Sequence, residues 1–483
     1  MILAGRKVLS KSATHFCRQD SRANQCWRLS FLYIMYMPLQ DVTREIEIRN
    51  VGPINNVRLK INKVNLFIGP QGSGKSTIAK VISFCFWLEK NVLLHQTVSH
   101  VTLSFVVTNL LVFHKLEHYF SFNSVIKYTS GVVSFEYSQG IATIKEGPLF
   151  DRASVGKTAY IPSERNIVTI PEVSTIPFPN NCLRNYIFEW FNIRNKYNQK
   201  NNAKIADLDV SYYFDKESKK DILVLGNGKE IELHESSSGM QSAVPLYILL
   251  DYLTKWIYEN TEDISFEKKD LILSALSNQF KKKTTENVSS ELNQNHISAS
   301  LDNRTQDIKK VMERLIAIAP TVKKTDYNDP KLNEYFSLNE RLTGSHCSNI
   351  IIEEPELNLF PKTQTTLVYD ILKFIKKNRD NVVITTHSPY ILYALNNCMQ
   401  AWLTNKENSE TLDDLQEALA FTKESFIDPE IVSVWELGKG SFKNYSNTAN
   451  GTIQDSNGLI RKNYFDAVMQ NVMADFSTLS SLY

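Results

Sequence analysis

The chain has 483 residues, 42% hydrophobic and 22% charged, the make-up of a soluble globular protein with room for two or three domains. A net charge of +2 excludes a surface coated in basic residues, so any nucleic-acid binding has to be local. Six scattered cysteines without a C-x-x-C pair exclude a zinc or disulfide framework and point to a reducing, cytoplasmic setting.

Residues 1–36 show no clean period and are expected to be a disordered arm, or to precede a true start at Met35 or Met37. Leu29 to Leu39 is short, contains Pro38 and lies too far from the N-terminus for a signal peptide. Val101 to Phe113 falls well below the roughly 18 apolar residues of a spanning helix, so no membrane segment is expected. From Arg44 the alternation Glu45-Ile46-Glu47-Ile48 predicts a half-buried strand, continued by Val57, Leu59 and Ile61 after a Gly-Pro turn. Val64 to Ile68 is apolar apart from Asn65, as suits a strand buried on both faces. Thr77 to Leu88 then reads as a helix.

Between that strand and helix stands Gly69-Pro70-Gln71-Gly72-Ser73-Gly74-Lys75-Ser76, a G-x-x-x-x-G-K-[ST] phosphate loop in its proper context. Glycines at 69, 72 and 74 let the backbone N–H groups of the loop, Gln71 and Ser73 included, turn toward phosphates at a helix N-terminus. Lys75 is expected to reach the β and γ phosphates of ATP and Ser76 to ligate Mg²⁺, with Thr77 adding a neighbouring hydroxyl.

Residues 100 to 150 are apolar and read as β-rich, and Asn181 to Asn195 as a helix. Asn227-Gly228 between two apolar stretches predicts a hairpin. Ser237-Ser238-Gly239-Met240-Gln241 opens a helix running to about Tyr258, where Ser238, Gly239 and Gln241 offer a second anion site. Residues 262 to 340 are charged and polar with helical patches such as Ile308 to Ala317. The basic clusters Lys281 to Lys283 and Arg194 to Lys204 read as solvated faces. Ile350 to Ile352 is a second buried-strand candidate, ending in Glu353 and Glu354. Glu353 is assigned to Mg²⁺ and Glu354 to the attacking water. Thr363 to Lys377 reads as a helix and Val382 to Thr385 as a third buried strand, ending near His387, a donor for the γ-phosphate. Glu424 to Phe426 reads as a strand edge and Asp466 to Phe476 as a closing helix.

The order of these motifs resembles that of soluble ABC-type ATPases related to the SMC, recombination-repair and overcoming-lysogenization-defect families. Gly69–Ser76 is similar to their Walker A, Ser237–Gln241 to the signature, and Ile350–Glu354 to Walker B. Glu356 to Leu359 is similar to the D-loop and His387 to the switch histidine. Tyr160 to Arg165 looks like a stretch common in bacterial ATPases of this branch. The resemblance covers roughly residues 40 to 260 and 345 to 400. It implies an α/β P-loop fold of ABC-ATPase type, with a central mostly parallel sheet, an antiparallel β lobe and a helical insertion. It also implies a head-to-tail homodimer sandwiching two ATP molecules, each between Lys75 of one copy and Ser238–Gln241 of the other. Glu353 departs from the usual Asp, Met240 from the second signature glycine, and no residue is assigned to the glutamine loop.

This reading divides the chain into an extension (1–36), a first ATPase part (37–261), a helical insertion (262–344), a second ATPase part (345–440) and a tail (441–483). The insertion is expected to dock a separate effector, since the tail lacks the Glu-Gly and Asp-x-Asp pattern of a Toprim nuclease. The leading expectation is a nucleotide switch in phage defence or DNA maintenance. A DNA-binding repair ATPase and the motor of a membrane transporter are the alternatives.

Overall fold

The computed structural model describes residues 43–205, 208–259, 341–342, 346–375, 379–407, 419–438, 441–442 and 452–482. The N-terminal extension and nearly all of the 262–344 insertion, with Lys281–Lys283 and Ile308–Ala317, lie outside the described residues.

Strands β1 (Arg44–Val51) and β2 (Ile54–Ile61) carry the predicted alternation and pair antiparallel, Ile46 opposite Leu59. Strand β3 (Val64–Ile68) is buried throughout and delivers the phosphate loop to helix α1 (Lys75–His95). A lobe of β4 (Phe120–Thr129), β5 (Val133–Ser138) and β6 (Ile141–Glu146) extends antiparallel from β1. Next come β7 (Lys157–Ile161) and α2 (Cys182–Arg194), whose Asn181 side chain caps the first turn. Strands β8 (Ala203–Lys204), β9 (Val210–Asp215), β10 (Lys220–Leu225) and β11 (Glu230–Glu232) make a separate antiparallel sheet. Its β10–β11 hairpin turns at Asn227-Gly228, with Gly228 at φ +78°.

Helix α3 (Ser238–Asp251) is followed by β12 (Ser348–Glu353), α4 (Pro361–Phe374), β13 (Asn381–Thr385) and α5 (Pro389–Glu407). Strands β14 (Val432–Gly438) and β15 (Ser441–Phe442) and helix α6 (Tyr464–Ser480) complete the described chain. The eleven-stranded sheet runs β6-β5-β4-β1-β2-β15-β14-β3-β13-β12-β7, and its half from β14 to β7 is all parallel.

The parallel strands lack polar alternation because both faces are covered. Leu66, Ile350, Ile352, Val382, Ile384 and Val434 pack toward α3, α4 and α5. Their neighbours Phe67, Ile351, Val383 and Trp435 pack toward α1 and the β lobe. Arg44 on β1 donates to Glu89 of α1 at 3.0 Å, and Tyr128 of β4 donates to the same carboxylate at 2.7 Å, all three buried.

Four features differ from expectation. Residues 103–112 are a short α-turn (Leu103–Val106) running into a π-helix (Val107–Val112), although Val and Thr there favour strand. Lys423–Ser425 is a 3-10 turn, and the strand that follows is β14, seated directly beside β3. Ile453, Leu459 and Ile460 of the tail join the main core, so this part of the tail packs with the parallel sheet. Helix α6 forms as predicted but buries none of its residues; Met469, Val472, Met473, Phe476 and Leu479 are exposed. Arg194 is no solvated cation: it pairs with Asp221 at 2.7 Å and stacks on Phe191 and Phe214. Cys85, Cys182, Cys347 and Cys398 are buried thiols outside any disulfide, as small core side chains. Among the described residues no helix is long and apolar enough to cross a membrane.

Candidate functional site: a phosphate loop and two acidic strand ends

Three parallel strands bring the site together at their C-terminal ends: β3 with the phosphate loop, β13 beside it with His387, and β12 next with Glu353 and Glu354. Open α/β sheets bind ligands at this edge.

The loop's shape depends on its glycines. Gly69 sits at φ +144°, where a Cβ would lie 2.3 Å from the Leu437 carbonyl oxygen of β14. Gly74, at φ +100°, caps α1 and would clash with Ile54. Gly72 has open space where a Cβ would point, so the loop surface is clear for a phosphate to approach. Lys75 is buried and its ammonium donates to the carbonyls of Gly69 and Pro70, at 2.9 and 3.0 Å. Burial pushes that ammonium down to about 8, against the opposing pull of Glu354 and Glu356. Gln71 is exposed, while Ser73 and Thr77 are buried, the Ser73 hydroxyl without a hydrogen-bond partner.

The adjacent glutamates have opposite environments. Glu353 is 5% exposed; burial raises its carboxyl above the usual range, partly offset by Lys80 and by the Tyr160 and Ser76 hydroxyls. Its Oε1 has no hydrogen-bond partner. Glu354 is half-buried and held low, first by hydrogen bonding from His387, whose Nε2 lies 3.5 Å from Oε1. Its backbone adopts φ +42°, a left-handed conformation that costs a residue other than glycine about 1 kcal/mol. That conformation is fixed at both ends: Glu354 N–H donates to Thr385, and its carbonyl accepts from Arg165 at 2.9 Å. Strain retained this way is typical of sites where side-chain aim matters.

Two residues outside the sequence assignments organise this turn. Arg165, fully buried, donates to the carbonyls of Glu353, Glu354 and Pro355 and, through Nε, to Ser242 of α3. The signal was present in the Tyr160–Arg165 stretch, but a buried guanidinium cannot be told from an exposed one by sequence. Glu356 accepts from the backbone N–H of His387 at 2.7 Å, fixing the approach of the histidine. Burial raises its carboxyl.

The signature segment lies on the far side of the Walker B turn. Ser237 caps α3, and a Cβ on Gly239 would come within 2.8 Å of the Asn358 carbonyl oxygen. Asn358 also donates to Ser242 at 3.0 Å. Gln241 spends its amide on the carbonyls of His234 and Ser236. Met240 packs against the core, which gives a structural reason for a side chain at that position. Among the described residues no hydrogen bond joins Ser238, Gly239 or Gln241 to residues 69–77 of the same chain.

The donor set fits a magnesium ion: hydroxyl and carboxylate oxygens, with the Glu353 Oε1 unpartnered and the Ser76 hydroxyl beside that carboxylate.

Fold and site together define an α/β protein with a P-loop nucleotide site at the C-terminal edge of a largely parallel sheet. Residues 335–392, which contain β12, the glutamates and His387, match the family model described as "AAA ATPase domain". No curated protein matches the sequence. Among solved structures the chain is similar to the SMC head domain from Thermotoga maritima, at 8% identity and TM-score 0.30, covering 73% of this chain and 91% of that one. It is also similar to the recombination mediator RecF of the RecFOR pathway, at 11% identity and TM-score 0.27, with 83% and 98% covered. A dimeric ATP-binding cassette in a post-hydrolysis state with ADP and Pi is similar at 11% identity and TM-score 0.25, with 83% and 97% covered.

Proposed function

We propose that the protein binds and hydrolyses Mg²⁺-ATP and works as a nucleotide-driven switch between two copies of itself. The observation that carries this reading is the division of labour across the sheet edge. Lys75, Ser76, Glu353, Glu354 and His387 gather on one side, while the N-terminus of α3 is joined to the D-loop and away from its own phosphate loop.

On this reading Lys75 gives up its loop carbonyls for the β and γ phosphates, a stronger partner for a buried ammonium. Ser76 and Glu353 hold Mg²⁺, which when bound would neutralise developing charge on the phosphates. Glu354, kept ionised by its neighbours, accepts a hydrogen bond from the attacking water and aims it along the line of displacement. His387 donates toward the γ-phosphate while its backbone stays fixed by Glu356. Ser238 and Gly239 of a second copy close the site, and hydrolysis releases them. The opening and closing would be read by a separate effector, in phage defence or DNA maintenance, in a cytoplasmic setting.

Glu354→Gln keeps the shape of the turn and removes the water's acceptor. Hydrolysis is expected to fall by about 10²–10⁴-fold while ATP binding persists, and light scattering with Mg²⁺-ATP should show a lasting dimer. A Glu354→Gln chain that stays monomeric with saturating Mg²⁺-ATP defeats the two-copy switch.

A further inference from the structure

Behind the Walker B strand, on the face away from the signature helix, lies a cavity of about 140 Å³. Helix α1 contributes Phe84 and Trp87, the end of the π-helical segment contributes Phe113 and His114, and edge strand β7 contributes Thr158 and Tyr160. Its partly open mouth carries the Asn109 and Asn185 amides.

Two properties set this cavity apart from a packing defect. Two buried polar atoms at its walls lack a hydrogen-bond partner, His114 Nδ1 and the Thr158 hydroxyl, while the Tyr160 hydroxyl beside them lies against the Glu353 carboxylate. A buried polar group left unmet is destabilising, so the two together ask for an occupant that meets them. His114 is 2% exposed and its imidazole stands edge-on to Tyr160, with centroids 5.6 Å apart. The second property is chemical. No Asp, Glu, Lys or Arg lines the cavity, and Phe84, Trp87, Phe113, Tyr160 and His114 bring rings to half of its wall residues. Burial, helped by Lys80, also holds His114 neutral, down to about 3. A charged ligand would find no counter-charge here, whereas a flat uncharged ring would find faces to stack on.

We propose that this cavity is a binding site for a small uncharged planar ring, of the size of a pyrimidine or a phenol, carrying at least one hydrogen-bond donor and one acceptor. Its volume is close to that of an engineered cavity able to hold benzene, and its unpartnered atoms add the polarity benzene lacks. Tyr160 links the site to the ATPase centre, because its hydroxyl lies against the Glu353 carboxylate and feels its charge. Edge-strand β7 pairs in parallel with β12, Ile161 opposite Ile352, so a ring seated against Thr158 and Tyr160 bears on the strand that carries Glu353.

The test uses the full chain and two probes, uracil and phenol, with benzene as the apolar control. Saturation-transfer NMR at millimolar probe should show transfer to uracil or phenol, which also tells a heterocyclic ligand from a phenolic one. Thr158→Val keeps the shape of the wall and removes one unpartnered hydroxyl; it should weaken binding at least tenfold. His114→Phe should do the same, with binding of a fluorescent ATP analogue confirming that each variant is folded. No transfer to either polar probe, transfer to benzene as strong as to both, or binding unchanged in both folded variants would overturn the assignment.

Discussion

Two buried glutamates, Glu89 and Glu353, stand on opposite sides of the same packed interior, 2% and 5% exposed. Glu89 is saturated: Arg44 reaches it at 3.0 Å and Tyr128 at 2.7 Å, tying β1, α1 and β4 together. Glu353 is held more loosely, with an oxygen that no described group satisfies and only the Lys80 charge and the Tyr160 and Ser76 hydroxyls to offset its burial. A carboxylate buried with its full set of partners belongs to the scaffold. One buried without them costs stability unless something else supplies the missing charge, and here the phosphate loop lies alongside.

The largest effect should come from breaking the satisfied site. Glu89→Ala strands the Arg44 guanidinium, which Glu89 now holds above its usual range despite burial. The expected loss is about 3–5 kcal/mol, measured by denaturant unfolding. Glu353→Gln should do the reverse in the absence of nucleotide, leaving stability unchanged or raising it by about 1 kcal/mol. Its sign with pH is definite. A carboxyl raised in the folded state makes the wild-type fold lose stability as pH rises from its ordinary 4.5 through the raised value, and the variant should lack that decline.

A finer distinction concerns Lys75, whose ammonium is depressed from 10.5 to about 8. The unfolded chain binds the extra proton between those values, so without nucleotide the folded protein gains stability across that window as pH rises. ATP needs the protonated form, so its affinity should be flat below about pH 8 and fall above it. Lys75→Met should bind ATP weakly at every pH and show neither trend; calorimetric titrations from pH 7 to 9.5 check both.

The sequence displayed one side of this comparison better than the other. Strands β3, β12 and β13 each carry an unbroken apolar run (Leu66–Ile68, Ile350–Ile352, Val382–Ile384) that leads into a chemical motif, and a short run with no polar face reads as the inside of a sheet. The loop between β3 and α1 was legible for the same reason. Strand β14 was not, because its pairing with β3 joins residues nearly 370 positions apart and nothing local announces it. The π-helical turn was hidden by β-branched residues whose preference the surrounding packing overrides. Arg165 and Glu356 could be read as polar residues near motifs, but their work consists of hydrogen bonds to backbone atoms of other segments. The Arg44–Glu89 pair was equally silent, since charges 45 positions apart carry no mark of their contact.

We propose that Glu353 is left short of partners because a Mg²⁺ ion accompanying ATP would complete its set. The most direct measurement is the affinity for ATP with and without Mg²⁺, in the wild-type chain and in Glu353→Gln. Mg²⁺ should strengthen ATP binding at least tenfold in the wild type and have little effect in the variant. The same Mg²⁺ enhancement in both chains, or none in the wild type, would contradict the account.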